Sequence, residues 1–252
     1  MKKNLLSKNL HQWLFLLVCF VATLPSWAED YTRDGIIYDL NRTAKTATVK
    51  GLKDKSATSV EIRSYAAGCT VTSIGKQAFS YCSSLTSINI PSSVTSIEAY
   101  AFLGCSSLTS IYIPKSVTNI GWGAFSDCSS LTSINIPSSV TSIGEGTFAY
   151  CSSLTSLNIP SSVTSIGEYA FSNCNALKVA LIQAYRIKIG WDVFESNTNV
   201  YAVSDNNLEF HLNTNTNYSN IFSKKGIRNS QSNMQTTSIS SQNRTKIQSL
   251  QN

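Results

Sequence analysis

One 23-residue phrase recurs almost letter for letter in five consecutive stretches, beginning at Val71, Val94, Val117, Val140 and Val163, and an eroded sixth copy begins at Arg186. Written once, it is V-T-S-I-G-x-x-A-F-x-x-C-S-S-L-T-S-I-N-I-P-S-S. A unit this short cannot bury a core by itself. Identical units must stack, and stacking puts like residues into columns. The sequence therefore predicts a solenoid.

Each position of the phrase has a physical role. In residues 85–90, Leu85, Ile88 and Ile90 are expected to point inward while Ser87 and Asn89 alternate outward on a short strand. In register, Leu85, Leu108, Leu131, Leu154 and Leu177 form one buried column and Ile88, Ile111, Ile134 and Leu157 another, with the strands making a parallel sheet along one face. Pro91, Pro114, Pro137 and Pro160 stop each strand, because proline has no N–H for a ladder. The Val94-Thr95-Ser96-Ile97 segment and its copies predict a second short strand on the opposite side. Phe79, Phe102, Phe125, Phe148, Phe171 and Phe194 are expected to fill the outer corner as an aromatic spine beside a short helical turn. Gly75, Gly121, Gly144, Gly167 and Gly190 mark a tight bend, and Glu98 at that place in the second copy argues against an obligatory left-handed backbone there.

Cysteine follows the repeat too, at Cys82, Cys105, Cys128, Cys151 and Cys174. Stacked strands hold equivalent Cβ atoms about 4.8 Å apart with parallel vectors, outside the roughly 3.5 to 4.5 Å that a disulfide prefers. Buried free thiols acting as small apolar residues are expected. A straight column cannot wrap four ligands around one ion, so no metal is expected either.

The frame L-x-x-I-x-I-P-x-x-V-x-x-I-G-x-x-A-F-x-x-C resembles the BspA-like class of leucine-rich repeat, and the match runs almost without gaps over residues 71–185. The resemblance implies a strand-dominated α/β fold: a right-handed, curved leucine-rich-repeat solenoid in an exported protein, with a parallel sheet on one face. Several relatives act as adhesins for host matrix proteins or other cells, but the family has no fixed ligand motif to transfer. Residues 34–40 (DGIIYDL) and 46–50 (TATVK) read as an N-terminal hairpin cap, and residues 59–62 as an irregular early strand.

The remaining segments give the domain plan. Residues 1–28 carry Lys2, Lys3 and Lys8 with no acid, a 12-residue apolar run over 13–24, then Pro25 and the frame Ser26-Trp27-Ala28, which predicts a secretory signal cleaved after Ala28. That run is well short of the roughly 20 residues that span a bilayer. Lipidation at Cys19 is not expected, because Val18 before it is not small. A capping region follows at 29–70, the solenoid at 71–203 and a C-terminal cap at 204–212. In residues 213–252, 26 of 40 are Asn, Ser, Thr or Gln and none is acidic, a composition that predicts disorder.

Charge and chemistry narrow the function. Without the signal the formal charge falls from +6 to +3, and residues 71–185 hold Lys76, Lys115 and Lys178 against Glu98, Asp127, Glu145 and Glu168, so no basic stripe suits nucleic acid. His211 is the one histidine outside the signal, which leaves no Ser-His-Asp or Cys-His pair in the rigid part. Glu145 and Glu168 align on adjacent coils as a carboxylate pair, but their bend offers no evident cleft. No enzyme and no cofactor are expected.

Binding is the expected function, with the broad sheet as the first candidate. Its outward stripe comprises Ser87 and Asn89, Ser110 and Tyr112, Ser133 and Asn135, Ser156 and Asn158, and then Val179 and Leu181. Tyrosine among short polar residues is good interface chemistry; the alternative reading of the recurring Ser and Asn is that they only keep the sheet soluble. Tyr112, Lys115, Asn119 and Trp122 depart from the phrase; Tyr112 and Lys115 are expected on or beside the sheet and Trp122 on the outer bend. The leading expectation is a monomeric module that binds a protein on a matrix or another cell. Carbohydrate stacking on Tyr100, Trp122, Tyr150 and Tyr169 is an alternative, and a passive coat or spacer a third.

Overall fold

The computed structural model describes residues 29–184, 187–203 and 209–212. The expected signal and polar tail lie outside them, as do residues 204–208 of the expected C-terminal cap. The chain opens with a meander of β1 (Glu29–Arg33), β2 (Ile36–Asn41) and β3 (Thr46–Leu52), paired antiparallel. Strand β4 (Ser59–Glu61) and the β5–β6 hairpin (Tyr65–Ala66, Cys69–Ile74) lead into the repeats. Strand β3 pairs in parallel with β6, so the hairpin docks directly against the first coil.

Each coil has three sides. One is the shorter strand, seen in β8 (Ser96–Ile97), β9 (Asn119–Ile120), β10 (Ser142–Ile143), β12 (Ser165–Ile166) and β14 (Lys188–Ile189). It forms two parallel sets, β6-β8-β9 and β10-β12-β14. The second side is the broad face, where β7 (Ser87–Asn89) pairs with β4, and β11 (Ser156–Ile159), β13 (Val179–Ile182) and β15 (Asn199–Val203) pair in parallel. Between these two patches residues 110–113 and 133–136 keep the strand-like alternation of burial, so side-chain packing sets their register. Strand β16 (Glu209–Leu212) adds antiparallel to β15 and closes the broad face.

The third side, the phenylalanine arc, differs from expectation. The described residues contain no helix; the arc is a run of turns in which alternate amides do different work. The even amides of the first coil close turns (Ala78 to Gly75, Ser80 to Gln77, Cys82 to Phe79), while Gln77, Phe79 and Tyr81 donate to Ala99, Ala101 and Leu103 of the next coil at 3.1, 2.7 and 2.6 Å. Equivalent bonds from Tyr100, Phe102 and Gly104 and from Gly123, Phe125 and Asp127 carry the ladder onward, all running in one direction. A helical turn would spend every amide inside its own coil; this alternation leaves half of them to tie coil to coil.

Aligned bonds turn carbonyls outward at the start of the stack, and charged side chains bond into the ladder at two places. The Lys55 ammonium donates to Ser80 O at 2.9 Å at the start of the stack. Where the last ladder bond would fall, the Glu195 carboxylate accepts from Asn173 N–H at 2.6 Å. A cation at the carbonyl end also suits the summed dipole. Glu195→Ala is expected to cost about 1 to 2 kcal/mol in denaturant unfolding, since it strands that amide; an unchanged midpoint would show that the cap is idle.

The columns form as the phrase requires. Phe79, Phe102, Phe125, Phe148 and Phe171 are fully buried, and the six rings stack at 5.1–5.5 Å with planes within 9° of parallel. The five repeat cysteines are buried free thiols. Cys105, Cys128, Cys151 and Cys174 donate to the carbonyls of Phe79, Phe102, Phe125 and Phe148 at 3.1–3.2 Å. Burial pushes the thiols of Cys105 and Cys174 up to about 12, and those of Cys128 and Cys151 well above the ordinary range.

The bend glycines are explained by close approach. A Cβ on Gly167 would lie 2.5 Å from Glu145 N and one on Gly190 2.6 Å from Glu168 N, backbone atoms that cannot swing aside. Glu98 fills the place differently, with its carboxylate reaching back to accept from Ser73 Oγ at 2.9 Å and Lys76 N–H at 3.0 Å.

Candidate functional site

The broad face presents Ser87, Asn89, Ser110, Tyr112, Ser133 and Asn135 to solvent, with Ser156 and Asn158 half-buried. Tyr112 is 61% exposed and stands in the column of Asn89 and Asn135. Lys115, just past the proline stop, is also exposed. Val179 and Leu181 do not extend this surface. They pair with Ser156 and Asn158 across β11–β13, but β13 lies between β11 and β15 and is buried on both of its faces. The accessible stripe therefore ends at Asn158.

Hydroxyls that look like surface coating also stitch the coils. Thr95, Thr118 and Thr164 donate through Oγ1 to the carbonyls of Thr72, Thr95 and Thr141 at 3.0–3.4 Å, and Ser116 donates to Val94 O at 2.6 Å. Their recurrence thus has a structural cause. Tyr112 has none of this kind, since its neighbours in the column are asparagines.

The arc carries a second, unlike surface. Six coils each expose one aromatic ring there: Tyr81, Tyr100, Trp122, Tyr150, Tyr169 and Trp191, between 38% and 74% exposed. Tyr100, Trp122, Tyr150 and Tyr169 are the rings expected on the outer bends; Tyr81 and Trp191 join them. A longer period in the sequence marks the full set, because Tyr81 and Tyr150, Tyr100 and Tyr169, and Trp122 and Trp191 are each three repeats apart.

These rings sit on unusual backbone. Tyr81, Tyr100, Tyr150 and Tyr169 have φ of 58°, 59°, 62° and 57°, the left-handed region, where a side chain such as tyrosine costs about 1 kcal/mol or more. Apart from Gln77, the other residues at the same two places are Gly104, Gly123, Gly146, Asp127, Asn173 and Asp192, types that adopt this conformation readily. The first three rings lie against glycines of the next coil. A Cβ on Gly104 would come within 2.7 Å of Tyr81 Cδ1, one on Gly123 within 2.5 Å of Tyr100 Cε1, and one on Gly144 within 2.8 Å of Trp122 Cδ1.

Charged groups are spread thinly. Glu145, Glu168 and Asp127 are exposed on the arc. A cavity lined by Asp34, Lys53, Asp54, Glu61 and Arg63 lies at the N-terminal cap, beside the β4 edge of the broad face. There the Arg63 guanidinium, 2.8 Å from the carboxylate, holds Asp34 below the usual range. Among the described residues no His, Cys, Asp and Glu cluster suits a metal, and no helix is long and apolar enough to cross a membrane.

Short strands on two sides, a stacked phenylalanine corner in each of six coils and a proline stop in the first four define a leucine-rich-repeat solenoid. Residues 72–201 match the BspA type leucine rich repeat region in six copies, and the chain belongs to that family. The T. pallidum leucine rich repeat protein TpLRR is similar, with a TM-score of 0.57 and 27% identity over 66% of this chain and 83% of that one. A leucine rich cell surface protein from Faecalibacterium prausnitzii gives 0.55 and 27%, covering 74% of this chain and 59% of that one. A leucine-rich repeat protein from Eubacterium ventriosum gives 0.53 and 27% over 63% and 41%. No curated protein sequence matches the chain.

Proposed function

We propose that this chain is an exported, non-catalytic binding module that recognises a protein partner, on host matrix or on another cell, through the broad face of its solenoid. The observation that carries this reading is Tyr112, a large ring 61% exposed among Ser and Asn on a face held rigid by stacked coils. Tyrosine brings contact area at low entropy cost, and the neighbouring hydroxyls and amides adapt their hydrogen bonds. Stacked repeats offer the extended surface on which such recognition is built. A surface or secreted location is supported by the family and by the cell surface description of the similar F. prausnitzii protein. The module acts as a monomer and needs no cofactor.

The test is binding of the chain from Glu29 onward to immobilised matrix proteins and to whole cells. Tyr112→Ala is expected to weaken binding at least tenfold, about 1.4 kcal/mol, and Trp122→Ala, on the other side of the coil, to leave it unchanged. Equal affinity of wild type and Tyr112→Ala would overturn the reading. A wild-type chain that binds no matrix protein and no cell would instead favour the passive coat. Carbohydrate recognition is a second reading, favoured by the exposed ring that each coil sets on the arc.

A further inference from the structure

The six arc rings are two copies of one arrangement. Tyr81, Tyr100 and Trp122 sit on three consecutive coils, and each lies earlier in the phrase than the one before, so the row runs obliquely over the arc. Tyr150, Tyr169 and Trp191 repeat the same steps on the next three coils. The phenylalanine spacing of 5.1–5.5 Å sets the advance per coil along the axis. We infer that the arc carries two carbohydrate platforms, Tyr81–Tyr100–Trp122 and Tyr150–Tyr169–Trp191, each taking a short neutral oligosaccharide across its three coils. This inference rests on the carbohydrate reading above and adds the number, boundaries and charge preference of its sites.

Three observations carry it. The left-handed backbone at the four tyrosines is a strain that glycine, Asp or Asn relieves at the same places in other coils, and retained strain of this kind clusters at functional sites. Glycines 104, 123 and 144 back the first row so closely that one side of each ring is fixed while the rest stays open to solvent, whereas the second row meets Asn173 and Asp192 at the places of Gly104 and Gly123. A flat ring held in this way offers its π face to the C–H face of a sugar without further loss of side-chain freedom. The carboxylates on the arc, Asp127, Glu145 and Glu168, outnumber the one exposed cation in the column of Glu145 and Glu168, which is Lys76; they can accept from sugar hydroxyls and would repel uronic or sulfated chains.

Trp122 and Trp191 are the two tryptophans from Glu29 onward, so each platform contains its own reporter. The experiment follows both indole N–H resonances of that chain while N-acetylglucosamine oligomers and glucose oligomers of two to six units are added, with heparin fragments as the acidic counter-probe. Both indoles are expected to shift with one neutral series, with like midpoints that tighten up to about three units and then level off, and heparin is expected to shift neither. Tyr150→Ala should weaken the Trp191 titration about tenfold and leave that of Trp122 unmoved, with Tyr81→Ala doing the converse. The retained response of the distant indole also shows that each variant is folded. If one indole alone responds, if either substitution weakens both titrations equally, or if the midpoint tightens steadily to six units, the two-platform arrangement fails while carbohydrate binding survives. If no neutral oligomer shifts either indole, the carbohydrate reading fails with it.

Discussion

Replacing Phe125 by alanine is expected to lower the stability of the solenoid by about 3 to 5 kcal/mol, measured by denaturant unfolding. Its ring is fully buried and stacks on Phe102 at 5.1 Å and on Phe148 at 5.3 Å, with planes 3° and 2° from parallel. The cavity would open at the centre of the stack and weaken two coil interfaces together, the nearest-neighbour terms on which repeat proteins depend. Among the described residues Phe194 has a single ring contact, with Phe171, and it is 7% exposed, so Phe194→Ala is expected to cost less. A loss below 1 kcal/mol at Phe125 would mean that the aromatic corner does not hold the coils together.

Alkaline pH is expected to destabilise the fold through its thiols. Burial raises the folded-state titration of Cys105 and Cys174 to about 12 and that of Cys128 and Cys151 well above their ordinary value, whereas unfolded thiols ionise near 9. The folded chain therefore keeps protons that the unfolded chain releases. The stabilisation is fully present below about pH 9 and is lost as the pH rises toward the folded values. From pH 8 to pH 10 the expected loss is roughly 1 kcal/mol per thiol, or about 4 kcal/mol over the four. Tyrosine and lysine titrate in the same window, so the comparison is with Cys128→Ala, whose stability should fall by roughly 1 kcal/mol less over that interval. Equal slopes for the two proteins would contradict a deeply buried column.

The candidate surfaces were unequally legible. Tyr112 and Trp122 could be picked out because they interrupt a strict phrase, and offset alone places one on the broad face and the other on the arc. The period of three repeats that adds Tyr81 and Trp191 is also written in the chain, but it is weak beside the 23-residue phrase and becomes meaningful once all six rings are seen on one side. Val179 and Leu181 show the opposite case. Their offset puts them in line with Ser156 and Asn158, yet a periodic pattern says nothing about what covers the last coils, and β13 is covered on both faces.

The arc illustrates a deeper limit. A-F-x-x-C resembles a helical turn in sequence, but whether its amides close local turns or reach the next coil depends on left-handed backbone at residues such as Gln77, Tyr81, Tyr100 and Asp127, which few rules of propensity favour. Neighbouring coils reward that conformation with inter-coil hydrogen bonds, a non-local gain that no window of sequence contains. The same holds for Lys55 and Glu195, ordinary surface charges in the sequence that bond into the ladder at its first coil and between its last two.

Repetition by itself was enough to determine the stack, its phenylalanine and cysteine columns and the proline-terminated edges, because identical short units have one economical way to bury their apolar residues. Tertiary structure decided which coils pair as strands, how the arc is bonded and which outward positions reach solvent. Those outcomes depend on backbone sign and on coverage by distant segments, and neither is a periodic property of the chain.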